Sequence, residues 1–554
     1  MTSLTVSGRV AQVLSGYTSD VFGVMGNGNV HFLDALEKLG MHFSPVRHEG
    51  AAIAAADAYF RASGRLAVGT TTYGPGFTNA ITALAEAVQA RIPVVLVTGD
   101  APSTGARPWD VDQALIAAGL GAATFTVSRE TVWTVTQQAV EHAINHRTAV
   151  VIAIPHDLAG LDVEEDELTH HIENPVTGAA VITGLEEVVG MLSGAKRPLI
   201  LAGRGAHLSG AGPELRELAD KLGALTAGTA LALNLLQGEG YVGVAGGFGT
   251  DTAAEVMSEA DVVLVVGASL SPFTMRFGHL LGPDSTVIQI DAALQPTHPR
   301  VDTFVSSDAK AAARDLIRML DAPPSSGTWR ADTYRRIAGG PSHHPGLQET
   351  VDGRLDPRSL AIALDTVLPQ RRTVVQDGGH FMGWAPMYWH IPRPQDLIMV
   401  GTAFQSIGLG LASAVGAARA MEDGRTLVLA SGDGGFLMGL SDLESLIGVA
   451  RSAIVVIYND AAYGAEIHQY GSQGLTEKPM LIPEVDFGGI AKALGAESAI
   501  VRSKSDLAAL RDWIEAGANG TFVADCRITA TVRAPWLSEW MKATQAAKTL
   551  TGQK

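Results

Sequence analysis

Thr426–Gly464 reads TLVLASGDGGFLMGLSDLESLIGVARSAIVVIYNDAAYG, and the fold follows from how its two apolar runs are punctuated. Thr426–Ala430 has the unbroken apolar character of a strand buried on both faces, and Gly432-Asp433-Gly434-Gly435 follows where that strand should meet a helix. Glycines at such a step let backbone N–H groups close on phosphate oxygens, and a carboxylate there can take a hard cation bridging two phosphates. A second strand-like run, Ala453–Tyr458, delivers Asn459-Asp460 to the same sheet edge, 27 residues beyond Asp433. Two oxygen donors could then converge on one Mg2+. Taken alone, the unit could also be an ordinary strand–helix–strand whose Asp433 caps a helix.

The same rhythm fills the rest of the chain. From residue 1 to about 170, β-rich runs (VFGVMG, HFSPVRHE, RLAVGTTTYG, IPVVLVTGD, AVVIAIPHD) alternate with helical ones (VHFLDALEKLG, GAAIAAADAYFRASG, FTNAITALAEAVQA). That alternation implies a parallel sheet covered by helices on both faces, with ligands at the carboxyl ends of its strands. Residues from about 180 to 335 repeat it with RPLILAGRGAH, ADVVLVVGASL and STVIQIDAA as strands and GPELRELADKLGA as an amphipathic helix. Residues from about 356 to 545 open with RTVVQDGGHFMGWAP, carry the opening motif and end with GTFVADCRI. The fold class is α/β, with three doubly wound parallel-sheet domains. Asp321–Leu355, rich in Pro, Gly and Ser, reads as a linker, and its His343-His344 pair as solvated side chains rather than metal ligands.

With 554 residues, 46% of them apolar, the chain can bury large cores. A formal net charge of −17 excludes a field that would collect nucleic acid or anionic lipid, so any phosphate must be bound locally by backbone and metal. The single cysteine, Cys526, lies in an apolar run and reads as a buried strand residue of a protein from a reducing compartment. No run approaches the ~20 apolar residues of a spanning helix, and the N-terminus has no leader pattern, so a cytoplasmic location with no membrane partner is expected.

RHEGAAIAAADAYFRASG, YGPGFTN, IPVVLVTGD and SGDGGFL, with the Asp433–Asp460 spacing and Tyr463-Gly464 behind it, resemble the thiamine diphosphate enzymes of the acetohydroxyacid (acetolactate) synthase and pyruvate decarboxylase superfamily. The resemblance spans all three domains in the order pyrimidine-binding, central, diphosphate-binding. It implies that Glu49 contacts the aminopyrimidine and that the Tyr73-Gly74-Pro75 turn, with Asn79, lies beside it. It places Gly378, Gly379 and His380, with Gly432, Gly434 and Gly435, around the diphosphate. Mg2+ would be held by Asp433, Asp460 and the Ala462 carbonyl, Ile407 would bend the cofactor, and Ser406, Tyr463 and Gly464 would also line it. An obligate homodimer follows from the same likeness, because the family glutamate serves the partner's cofactor, and further assembly into a dimer of dimers is expected, with dimer versus tetramer left open.

The implied reaction is decarboxylation of a 2-oxo acid and transfer of the acyl unit to an aldehyde or oxo acid acceptor. Non-ligating decarboxylation and 2-hydroxyacyl-CoA lyase or oxalyl-CoA decarboxylase chemistry are the alternatives, with a catalytically silent scaffold subunit the remaining class. Asn27, Gln113 and His468 are the further catalytic candidates, and either Gln113 or Trp109 takes the position of the family glutamine. The sequence departs from the family at Asp460, usually Asn, and at Ala465 and Gln469, where synthases have an apolar residue and a tryptophan. FAD or another nucleotide could occupy the central domain near Gly203-Arg204-Gly205 or Gly267-Ala268-Ser269, with Arg204 as the suggested phosphate contact. No GxGxxG fingerprint with a following acid appears, which disfavours a nicotinamide dehydrogenase.

Overall fold

The computed structural model describes residues 4–163, 182–320, 328–337 and 343–551, with side chains as far as residue 545. The expected boundary between 170 and 180 and part of the Asp321–Leu355 linker lie outside the described residues. Three six-stranded sheets organise the chain. The first contains β1 (Asp20–Gly23), β2 (His42–Pro45), β3 (Ala67–Thr71), β4 (Val94–Asp100), β5 (Ala123–Thr126) and β6 (Ala149–Pro155), in the order β2-β1-β3-β4-β6-β5. The second contains β7 (Pro198–Ala202), β8 (Leu225–Gly228), β9 (Tyr241–Val244), β10 (Val262–Val266), β11 (Thr286–Asp291) and β12 (Thr303–Ser306), in the order β12-β11-β10-β7-β8-β9. The third contains β13 (Arg372–Gln376), β14 (Leu397–Met399), β15 (Thr426–Gly432), β16 (Ser452–Asn459), β17 (Glu497–Val501) and β18 (Gly520–Arg527), in the order β14-β13-β15-β16-β18-β17.

Strand pairing is parallel throughout the three sheets, as expected of strands such as β15 whose every residue is buried. In the first and third sheets the first strand leads off to one side and the third strand to the other. A crevice therefore opens between β1 and β3, and likewise between β13 and β15.

The helix Glu49–Ser63 shows why its sequence is so rich in alanine. It is clamped between its own sheet and the helix Gly410–Ala420 of the third domain, so closely that a Cβ at Gly416 would collide with the Ala55 carbonyl. One apolar cluster runs through both domains, from Ala52 and Ala55 to Ala414 and Val415. Polar ties flank it: Arg419 pairs with Asp20 at 2.7 Å, and Glu86 accepts the amides of Ala403 (3.0 Å) and Phe404 (2.6 Å). Asn234 Nδ2 joins the central domain to the third through the Ile391 carbonyl, at 2.7 Å.

Cys526 is buried in β18. Of the histidine pair expected to be solvated, His344 is exposed, but His343 is not free in solvent. His343 packs its ring 5.4 Å from that of Tyr388, and the Tyr388 hydroxyl donates to the His344 carbonyl (2.8 Å), because the linker folds back onto the third domain. Among the described residues no helix is long and apolar enough to cross a membrane.

Candidate active site

The carboxyl ends of β15 and β16 carry Asp433 and Asp460, and both carboxylates are turned inward. Asp433 begins the short helix Asp433–Met438; its Oδ1 accepts the Gly434 amide at 2.9 Å, while its Oδ2 is buried with no hydrogen-bond partner. Asp460 Oδ1 accepts the Ala462 amide (3.2 Å) across a turn in which Ala461 takes φ +58°. That turn is pinned from outside, since the Tyr463 amide donates to Met480 and the Ile482 amide to Ala461, each at 2.8 Å. Gly464 follows because any Cβ there would come within 2.7 Å of Asp460 Oδ2. Burial pushes both carboxyls well above the usual range, and for Asp460 the charge on Asp433 adds to it. Two like charges held together out of water keep a proton between them unless a cation takes its place. An orphaned carboxylate oxygen facing a second acid in a glycine-rich step fits a hard divalent cation, although among the described residues no three His, Cys, Asp or Glu side chains gather around one point.

The neighbouring turn is built around a residue that sequence reasoning missed. Asp377 is fully buried and accepts the amides of Gly378 (2.7 Å) and Gly408 (3.1 Å) and the Ser431 hydroxyl (3.1 Å). It thereby ties the end of β13, the Ser406-Ile407-Gly408 loop and the end of β15 to one carboxylate, which burial pushes up to about 6. Ile407 lies against Gly378, where a Cβ would sit 3.2 Å from its Cγ2, and is 38% exposed. The only local signal was an acid directly before the Gly378-Gly379 pair.

His380 is buried, and its Nε2 accepts the Ala534 amide at 2.8 Å, so the neutral ring carries its proton on Nδ1, on the side of Gly464. Burial, then the neighbouring His468 and Arg533, lowers its pKa to about 3. His468 is not a surface residue: it is 8% exposed, its ring lies 4.6 Å from that of His380, and its Nε2 is buried without a partner. Burial and Arg533 lower it to about 4, so both imidazoles are neutral near pH 7.

In the first domain Glu49 opens its helix, where the helix dipole favours an acid, and His48 caps that helix by accepting the Gly50 amide (3.1 Å). Glu49 Oε2 accepts Asn79 Nδ2 at 2.9 Å, and Oε1 lies over Gly76. Asn27 Nδ2 donates to the Tyr73 hydroxyl at 3.1 Å. Gln113 is turned into the domain. It is buried, accepts the Gly74 amide (2.7 Å) and donates to the Gly99 carbonyl (2.9 Å), so it supports the Tyr73-Gly74 turn, while Trp109 stands 61% exposed. Pro75 starts the five-residue helix Pro75–Asn79. The structure thus brings the candidates together as two groups, one per domain, and among the described residues no hydrogen bond or ion pair joins Glu49 to Asp433 or Asp460.

Three family models match the chain in order: the thiamine pyrophosphate enzyme N-terminal TPP binding domain over residues 4–118, the central domain over 185–316 and the C-terminal TPP binding domain over 377–525. The chain belongs to the thiamine diphosphate-dependent enzymes. Within this family it is 26% identical to a sulfoacetaldehyde acetyltransferase of Castellaniella defragrans, covering 92% of this chain and 90% of the relative. It is 29% identical to the acetolactate synthase isozyme 2 large subunit of Escherichia coli K12, covering 89% and 90%. Its fold matches the Rhodococcus jostii RHA1 thiamine diphosphate-dependent 4-hydroxybenzoylformate decarboxylase with a TM-score of 0.78 at 19% identity, over 95% of this chain and 99% of that one. The two edge groups of this thiamine diphosphate enzyme fall in the two domains that the family models describe as TPP-binding.

Proposed function

We propose that the protein is a Mg2+- and thiamine diphosphate-dependent carboligase. It would decarboxylate a 2-oxo acid and pass the acyl unit to a carbonyl acceptor, as a homodimer in which Glu49 of one chain serves the cofactor held by the third domain of the other. The observation that carries this reading is the Asp433–Asp460 pair, in which Asp433 is buried with one oxygen unsatisfied, at a glycine step suited to a diphosphate. The acetolactate synthases and acetyltransferases among its relatives support ligation over simple decarboxylation. Exposed apolar side chains on both edges, Met25 and Trp109 on the first domain and Phe404 and Ile407 on the third, support a second copy closing over the site. With one buried thiol, the protein suits a reducing cytoplasm.

Bound thiamine diphosphate supplies the carbon nucleophile and the electron sink. Asp433, Asp460 and the Ala462 carbonyl would hold its Mg2+, and the Gly378-Gly379-His380 turn with the Gly434 and Gly435 amides would hold its diphosphate. Glu49, steadied by Asn79, would hold a proton at the aminopyrimidine, and Ile407, on the loop that Asp377 fixes, would supply an apolar support for the cofactor. Water is kept from the diphosphate end by Phe381, Trp384 and Tyr458, which are buried behind the turn.

The central sheet, with the strand order typical of dinucleotide-binding folds, supports a nucleotide, FAD or ADP-like, at its β7 turn. There Arg204, whose pKa burial and the nearby Arg61 lower to about 10, lies in the field of Arg147 and Arg91. Calorimetry with thiamine diphosphate and Mg2+, on the wild type and Glu49→Gln, tests the main reading. Both should bind, and only the wild type should exchange deuterium at the thiazolium carbon. Failure of the wild type to bind, or unchanged exchange in Glu49→Gln, contradicts it. A screen of 2-oxo acids with and without aldehydes separates ligation from plain decarboxylation, and the colour and released nucleotide of the pure protein decide the central site.

A further inference from the structure

Beyond Glu49, the first domain gathers a second set of polar side chains around Tyr73. Asn27 follows β1 and Tyr73 follows β3, so the two flank the crevice where the strand connections diverge, and Asn27 Nδ2 reaches the Tyr73 oxygen across it at 3.1 Å. Arg107, from the loop after β4, lays its guanidinium carbon 4.1 Å from the Tyr73 ring centroid. Asp110 holds that guanidinium through Nε (3.1 Å) and a terminal nitrogen (2.7 Å), leaving the Arg107 side chain 17% exposed. His156, after β6, meets the ring edge-on at 5.5 Å, and Gln113 fixes the Gly74 amide next in the chain.

Four loops therefore immobilise one phenol at a ligand crevice. Its oxygen accepts from Asn27, while its own O–H donates to no group among the described residues. Because Asp110 cancels the charge of Arg107, the cluster is not a general anion trap. What it offers is one oriented neutral donor whose ring is held by a guanidinium that Asp110 balances.

Resting on the carboligase reading above, we propose that Tyr73 is a catalytic hydrogen-bond donor to the carbonyl oxygen of the acyl acceptor, with Arg107 and Asn27 as its positioning residues. When the new carbon–carbon bond forms at the acceptor carbonyl carbon, the carbonyl π pair moves onto oxygen, and that oxygen takes the phenol proton. The phenolate left behind is covered by Asn27 Nδ2 and Arg107 and recovers its proton from water. Such a donor suits an acceptor that presents a carbonyl oxygen, an aldehyde or a 2-oxo acid.

The test is product partition. A 2-oxo acid is supplied with excess acetaldehyde, and ligated product is counted per CO2 released in the wild type, Tyr73→Phe and Arg107→Met. Tyr73→Phe keeps the ring and its stacking, and its ligated product per CO2 should fall about tenfold or more, with free aldehyde appearing instead. Arg107→Met, with the phenol loosened, should lower the same ratio by a smaller factor, whereas a merely structural loss would lower both products together. A wild-type ratio in Tyr73→Phe, or a parallel loss of ligation and CO2, overturns the assignment. Cofactor binding, measured separately by calorimetry, reads the carboligase proposal independently of this ratio.

Discussion

The first and third domains are built on the same strand order, counted from the first strand of each, yet their equivalent loops carry opposite kinds of chemistry. After its third and fourth strands, the third domain places Asp433, buried, and Asp460, half-buried, acids whose burial pushes their carboxyls up and whose charge must be neutralised in place. After the corresponding β3 and β4, the first domain places Tyr73 and the Arg107 loop, whose charges already cancel. After its second strand the first domain has Glu49, half-buried and reaching outward, where the third has the loop of Ile407. The fold repeats the positions, and the loop residues give one edge a pair of acids suited to a cation and the other the Glu49 and Tyr73 side chains, which we propose handle protons. The central domain, with a different order, shares neither.

If that division of labour is right, the largest effect comes from Asp433→Ala. Cofactor affinity measured by calorimetry with Mg2+ should fall about 100-fold or more, while Glu49→Gln should bind within about threefold of wild type. Equal losses in the two variants would break the contrast between a holding edge and an activating edge. Asp377→Ala comes next. It leaves the Gly378 and Gly408 amides and the Ser431 hydroxyl without their buried acceptor, and stability by urea denaturation should drop by on the order of 3 kcal/mol.

A third test uses pH. Burial raises the folded-state pKa of Asp377, Asp433 and Asp460 above the unfolded carboxylate value, so the cofactor-free folded chain binds more protons than the unfolded one. Their contribution is therefore fully present below about pH 4 and is lost as pH rises through the folded values, about 6 for Asp377 and about 8 for Asp460. The melting temperature of the cofactor-free protein should carry a falling component from pH 5 to 8. Mg2+ with thiamine diphosphate should flatten it, because the cation replaces the shared proton. A slope that the ligands leave unchanged would mean that the third-domain acids are not the cation site.

How much of this was legible in the sequence follows from the range of the interactions. Each sheet announced itself through apolar runs ending in glycine or an acid, and the Asp433 step was readable because glycine, carboxylate and the second strand lie within one local unit. Asp377 was not, because its partners stand 31 and 54 residues away and only the closed sheet brings them together. The same holds for His380, whose acceptor nitrogen is used by an amide 154 residues distant, and for Gln113, whose inward turn depends on Gly74. His343 looked solvated because composition describes a linker but not the surface it folds against.

The smallest expected effect probes the first-domain edge alone. The Asn79–Glu49 hydrogen bond is 2.9 Å long but exposed, so Asn79→Ala should cost at most about 0.5 kcal/mol of stability. Its effect on deuterium exchange at the thiazolium carbon should be larger, about three- to tenfold, because a carboxylate free to rotate spends less time aimed at the pyrimidine. Asn79→Asp should slow exchange further, since a second negative charge against Glu49 drives the carboxylates apart. Unchanged exchange in both variants would mean that the His48-capped helix start aims Glu49 without help. The proton-handling edge would then be as self-contained as the cation-holding one, and the contrast between the two domains would rest on charge alone.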